Sequence, residues 1–188
     1  TRIQATAVVQ NGANGPLFIV LGGYSNTTNQ VANEGVVYDI KAGNWRKTSP
    51  IVADGKSIAL VGAASVSSGS MFVVCFGGVN KERFEAAIQG KYGDGYLQHD
   101  AEWYKFRSSL LIYNTITNTW VTETSSPLLA RAGMSVIPMG NQWMIVNGES
   151  KPGVRAKEVT MVKMETHTNF GWLNWIVLIA YLLMMIAL

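Results

Sequence analysis

The stretch FIVLGGYSN at residues 18–26 decides the fold, because it returns as FVVCFGGVN at residues 72–80. In each copy a β-branched and aromatic run ends in Gly-Gly. Each is followed by a second strand-like run ending in Tyr, then a short turn and Trp: VVYDIKAGNW at 36–45 and LLIYNTITNTW at 110–120. Tyr38 and Trp45 are seven residues apart, as are Tyr113 and Trp120, and the two units close on TSP and SSP. A third unit, WMIVNGES at 143–150, carries Asn147-Gly148 where the others carry Gly-Gly. Counted from Gly22, Gly77 and Asn147, the units recur at spacings of 55 and 70 residues. From the Gly pair to Tyr is 15 residues in the first unit and 35 in the second, so about 20 extra residues form an insert near 81–107.

The physical reading of this pattern is an all-β chain. Nearly continuous apolar runs such as 17–21 and 71–76 predict strands covered on both faces by neighbouring sheets. The Gly pair lets the chain leave the strand with unusual backbone angles and allows adjacent sheets to approach closely. KAGN and NTITN are hairpin turns, and the Tyr and Trp pack between sheets. The period and spacing resemble the kelch motif over residues 2 to 164. That resemblance implies a partial β-propeller of about three of six four-stranded blades, near 2–50, 51–127 and 128–164. Three blades cannot close a ring, so further blades are expected upstream of Thr1.

Composition narrows the classes. Fifteen Lys and Arg against twelve Asp and Glu give a net charge of +3, and the basic residues are scattered singly, which argues against a nucleic-acid partner. Cys75, the only cysteine, rules out an intrachain disulfide and reads as a small buried hydrophobe. There is no Walker loop, no G-x-S-x-G and no zinc spacing, His99 and His167 being isolated, so no metal or cofactor is expected. The chain starts TRIQ without Met and stops inside an apolar run, which suggests a piece of a longer protein.

That apolar run, FGWLNWIVLIAYLLMMIAL at 170–188, contains no charged residue. As a helix its nineteen residues would reach about 28 Å; Trp172 and Trp175 at its start resemble interfacial aromatics, and Tyr181 lies further in. The expectation is one transmembrane helix at 170–188, joined to a 1–164 propeller by the polar linker 165–169. Arg155, Lys157 and Lys163 weakly favour a cytoplasmic side for the preceding domain.

Two regions depart from the blade pattern, where propellers place binding sites. In NGESKPGVR at 147–155, Glu149 follows the strand end where the other units have Tyr24 and Val79, and a Lys-Pro-Gly turn returns Arg155 beside it. Spacing alone leaves two readings: a surface ion pair, or a proton-moving carboxylate with a guanidinium that holds an anionic ligand. The second region is the insert KERFEAAIQGKYGDGYLQHDAEWYKFRSS at 81–109. Its density of ionisable and aromatic residues, Arg83, Tyr92 and His99 among them, suits a sugar-sized polar ligand; it reads equally as a solvated lid or an inter-blade prop. Short helices are predicted near 81–89 and 99–105.

NGESKPGVRAKEV resembles the Glu-x-Lys-Pro-Gly-x-Arg motif of the N-acetylneuraminate epimerase (sialic acid mutarotase) kelch family, and the insert resembles that family's long loop. The order of the insert blade and the motif blade is similar to the cyclically permuted branch. FGWLNWIVLIAYLLMM is similar to the first helix of sodium/solute symporters. The resemblance implies an isomerase that interconverts the anomers of N-acetylneuraminate and serves a fused symporter. It implies Glu149 as catalytic acid/base, and Arg155, Lys151, Arg83, Tyr92 and His99 as substrate-binding residues. It also implies an inner-membrane protein with its propeller in the periplasm of a Gram-negative bacterium, and a fragment inactive on its own. The alternative is a non-catalytic kelch module that binds a glycan or a protein at the membrane.

Overall fold

The computed structural model describes residues 1–163 and 171–187. The first sheet is a meander of β1 (Thr6–Gly12), β2 (Gly15–Leu21), β5 (Glu34–Asp39) and β6 (Asn44–Pro50), all antiparallel. Between β2 and β5 the chain makes a small ribbon of β3 (Tyr24–Ser25) and β4 (Gln30–Val31); after β6 comes another, of β7 (Val52–Ala53) and β8 (Lys56–Ser57). The second sheet repeats the meander with β9 (Ala64–Ser68), β10 (Phe72–Phe76), β11 (Ser109–Asn114) and β12 (Thr119–Ser125). The insert between β10 and β11 carries α1 (Lys81–Ile88) and α2 (Ala101–Tyr104), inside the two stretches predicted helical, and between them a 3-10 turn at Gly93–Gln98 that lies outside both. The third sheet is β13 (Ala132–Met139), β14 (Gln142–Lys151), the short β15 (Val154–Arg155) and β16 (Thr160–Lys163). Helix α3 spans Trp172–Ala187.

The sheets stack face to face, as propeller blades do, because alternate residues of each strand are apolar on both sides. Leu17, Ile19, Leu21 and Val37 of the first sheet interlock with Val73, Cys75, Leu111 and Tyr113 of the second. Val74, Phe76 and Leu110, on the other face of the second sheet, pack against Met134, Trp143 and Ile145 of the third. The second sheet is therefore covered on both faces, as its sequence predicts. The first is not: on β2, Leu17, Ile19 and Leu21 are buried but Phe18 is exposed. This departs from the expectation of two covered faces, because among the described residues no sheet packs on the side of β2 that carries Phe18. The same asymmetry explains the two Tyr–Trp pairs. Tyr113 is fully buried between sheets, donates to Asn118 Oδ1 at 2.8 Å, and stacks obliquely on Trp120. Tyr38 and Trp45 make the same ring contact at 5.0 Å on the uncovered face, where Trp45 is exposed. In the third sheet Val162 holds the Tyr position, opposite Trp143. Among the described residues no fourth strand pairs with β16.

Cys75 is fully buried on β10, and loss of solvation pushes its thiol up to about 12, with Arg107 pulling weakly the other way. The folded protein should therefore not react with a thiol-specific disulfide reagent at pH 8, whereas the unfolded chain reacts at once; fast labelling of native protein would contradict this burial. Because the folded value lies above the unfolded one, the stability this site holds at neutral pH is lost as pH rises from about 9 through about 12.

The C-terminal segment corrects one expectation. A helix forms, but as described it has 16 residues, about 24 Å, and among the described residues no helix is long and apolar enough to cross a membrane. The predicted linker 165–169 and the ends of the predicted span, Phe170 and Leu188, lie outside the described residues, as does His167. From Trp172 to Ile186 every side chain of α3 is exposed.

Candidate functional site

The inner ends of the three sheets are stitched by the backbone. Gly62 N–H donates to the Gln4 carbonyl at 3.0 Å, and Gly133 N–H donates to the Gly62 carbonyl at 2.7 Å. One step further out, Gly23 N–H donates to Leu60 O at 3.1 Å and Gly78 N–H to Arg131 O at 2.9 Å. Arg131 locks the last joint: its buried guanidinium donates to the carbonyls of Leu128, Asn147 and Glu158 and to Thr160 Oγ1. These bonds set the three blades in register, so that residues after the second strand of each blade arrive at equivalent places. Tyr24 bonds to Ile3, Val79 to Val61, and Glu149 pairs with Ala132. Glu149 is thus the carboxylate at a ring position that is otherwise Tyr and Val, as the repeat spacing indicates.

Sequence also shapes the local strand. β14 runs through Asn147 and Gly148 to Lys151, where β2 and β10 stop at or before their Gly pair. Its register with β15 shifts between Glu149 and Lys151, and the pair Glu149 and Arg155 lies directly across the ladder. Such a bulge re-aims side chains at a sheet end. Gly153 N–H donates to Glu149 Oε2 at 3.2 Å, which orients the carboxylate. Arg155 Nη1 stands 3.9 Å from Glu149 Oε1, longer than a hydrogen bond, and the Arg155 side chain is 75% exposed against 33% for Glu149. The guanidinium fork is therefore largely open to a ligand.

Both side chains line a cavity of about 510 Å³, a size typical of small-molecule sites. Its wall takes Gln4 from the first blade, Gly62 and Val79 from the second, Gly133, Glu149 and Arg155 from the third, and Phe84, Tyr96 and Phe106 from the insert. The Tyr96 phenol is pushed up by desolvation and by the neighbouring Tyr104 and Tyr92, so at neutral pH it keeps its proton and can donate.

The insert is closed at its base, where Arg107 N–H donates to Gly78 O at 2.9 Å and Arg107 Nε to Gly77 O at 3.0 Å. Asn80 caps α1 by accepting from Arg83 N–H. Trp103 organises the interior. His99 stacks on it at 3.8 Å between centroids, the Arg83 guanidinium lies 4.1 Å from its centroid, and Tyr92 meets it edge-on at 4.9 Å. Of the residues predicted to touch substrate, the structure therefore brings Glu149 and Arg155 together in the cavity wall. Arg83, Tyr92 and His99 are gathered around Trp103 instead, and are not among the residues lining the cavity. Lys151 links the two groups, its Nζ donating to the His99 carbonyl at 2.7 Å. Lys151→Met should speed amide exchange over 99–104 by roughly two- to tenfold, read by hydrogen–deuterium exchange; unchanged exchange would contradict the tether. Sequence reasoning missed Tyr96, Phe84 and Gln4 as cavity residues. Gln4 alone left a trace, since it occupies the repeat position held by Gly62 and Gly133.

Three blades stitched at their inner ends, with one carboxylate and one guanidinium on a bulged strand lining a shared cavity, define a β-propeller-type fold with a partly polar cavity where its blades meet. Residues 1–181 match the family model for N-acetylneuraminate epimerase, and the chain belongs to that family. It is 29% identical to the N-acetylneuraminate epimerase of Haemophilus influenzae (strain PittEE) over 180 residues, covering 88% of this chain and 46% of that protein. Against the enzyme of the same name from Escherichia coli O9:H4 (strain HS) it is 30% identical over 178 residues, covering 91% and 48%. The solved structure of YjhT superposes with a TM-score of 0.72 at 24% identity, over 89% of this chain and 53% of that one, a likeness of fold. The chain spans about half the length of the curated relatives it matches.

Proposed function

We propose that this chain carries the catalytic mouth of a mutarotase that interconverts the anomers of N-acetylneuraminate. The observation that carries the reading is the Glu149–Arg155 pair, registered across a bulged strand in the cavity wall at a position where the other blades present Tyr24 and Val79. The relatives named N-acetylneuraminate epimerase support the substrate.

Mutarotation of a cyclic 2-keto sugar acid asks little of a protein. The proton of the anomeric hydroxyl leaves as the ring oxygen gains one, the bond between that oxygen and the anomeric carbon breaks, and an open-chain ketone forms. Rotation about the adjacent carbon–carbon bond presents the other face of the carbonyl, and the reverse proton transfers reclose the ring. Glu149, held by Gly153 N–H on one oxygen and facing Arg155 only at 3.9 Å on the other, accepts the hydroxyl proton and returns it, with water carrying the second transfer. Arg155, exposed and forked, takes the sugar carboxylate in a bidentate grip that a neutral sugar cannot use. Arg155→Ala should therefore raise KM about ten- to a hundredfold with kcat little changed, measured as anomer exchange in the full-length protein. A fall in kcat at unchanged KM would sink this assignment.

The finer reading extends the same proposal: a cyclically permuted blade order, a periplasmic propeller in a Gram-negative bacterium, and coupling to a downstream sodium/solute symporter. The apolar, exposed α3 supports a hydrophobic setting for the C-terminal segment, although its described length falls short of a span. Digestion of the propeller by protease added to spheroplasts is the expected result; protection until lysis would overturn the placement.

A further inference from the structure

Gln4, Gly62 and Gly133 occupy one equivalent position in the three blades, linked in series by the N–H···O=C bonds that stitch the inner strands. All three have left-handed backbone, with φ of +53°, +65° and +65°. Glycine adopts that conformation freely, and a residue with a side chain does so at a cost. Crowding does not account for both glycines: a Cβ placed on Gly62 would stand 3.2 Å from the Ala132 Cβ, but one placed on Gly133 would meet no heavy atom within 4 Å. The first blade thus holds glutamine in a conformation that glycine, used by its two neighbours, would take without strain. Strain that folding does not need is expected where a side chain has work to do.

All three positions line the cavity that holds Glu149 and Arg155, and of the three only Gln4 puts a side chain there. The other polar side chains of that wall are Tyr96, Glu149 and Arg155, so Gln4 supplies its neutral amide, with donor and acceptor side by side. It stands on the first blade, whereas the carboxylate and guanidinium stand on the third. Gln4 is exposed, and its amide makes no hydrogen bond among the described residues.

We infer that Gln4 is a ligand-contacting residue that sets affinity, its amide gripping the neutral end of the acidic sugar, an acetamido or hydroxyl group, while Arg155 holds the carboxylate. The inference rests on the acidic-sugar reading of the cavity but not on catalysis. It is tested by titrating N-acetylneuraminate into the full-length protein and into Gln4→Gly and Gln4→Ala, together with their melting temperatures. The expected result is a Kd about tenfold weaker in both variants, with Tm unchanged in Gln4→Ala and raised in Gln4→Gly, where the backbone relaxes. A merely structural glutamine would give the opposite split, with Kd kept and Tm lowered, and that result overturns the inference. If the wild type binds the sugar without speeding anomer exchange and both variants bind it more weakly, the mutarotase reading falls while this one stands. If the wild type binds no acidic sugar, both fall.

Discussion

Replacing Glu149 by Gln in the full-length protein is expected to lower the rate of anomer exchange by about 10²–10⁴-fold, the range for losing a positioned acid/base. The substitution keeps the side chain's length and an acceptor oxygen for Gly153 N–H, so the turn that orients it survives. It removes the negative charge beside Arg155, but that contact is 3.9 Å long and largely solvated, so its contribution to stability is small. A matching Tm with collapsed kcat is therefore the signature of a chemical role. Exchange at the wild-type rate would mean that Glu149 and Arg155 are a surface ion pair, the other reading that spacing leaves open.

A large effect on folding is expected at Gly22. A Cβ there would stand 2.3 Å from the Leu60 carbonyl oxygen and 2.4 Å from Leu60 Cβ, at φ +65°. The Leu60 carbonyl cannot retreat cheaply, because it accepts the Gly23 N–H bond that joins the first two blades. Overpacking and left-handed strain together put Gly22→Ala at roughly 2–5 kcal/mol, a large share of the stability of an ordinary domain. The corresponding drop in Tm is roughly 4–20 °C. Gly55 is the control: φ is +74°, but a Cβ would meet nothing within 4 Å, so Gly55→Ala bears only the backbone cost of about 1 kcal/mol. Equal effects at the two sites would mean that backbone conformation, not the close approach of blades, explains the Gly pair.

What the sequence makes legible follows from what repeats. Gly22-Gly23 and Gly77-Gly78 recur because each blade must approach the next at that place, and Tyr113 with Trp120 recurs because the gap between blades has a fixed shape. Against that background Glu149 stands out by standing where Tyr24 and Val79 should. The insert does not repeat, so nothing in its sequence says which of its polar residues turn inward. Arg83 and His99 look like ligand groups by type, yet both pack on Trp103. Tyr96 reaches the cavity while Tyr92, four residues earlier, packs on Trp103. Gln4 is half-hidden for a different reason: the sequence shows it at the repeat position of two glycines, and only the backbone angle shows what that costs. The exposed outer face of β2 was equally unreadable, since an apolar strand reads the same whether or not a neighbour covers it.

The central claim, that this mouth moves protons rather than only holding a sugar, is tested most directly by the time course of one anomer. The α-anomer of N-acetylneuraminate is prepared fresh and its conversion followed by proton NMR, with and without catalytic amounts of the full-length protein. The account predicts a return to equilibrium faster than the spontaneous reaction, in proportion to protein added. Conversion at the buffer rate, with the sugar visibly bound, would contradict it and leave a binding module.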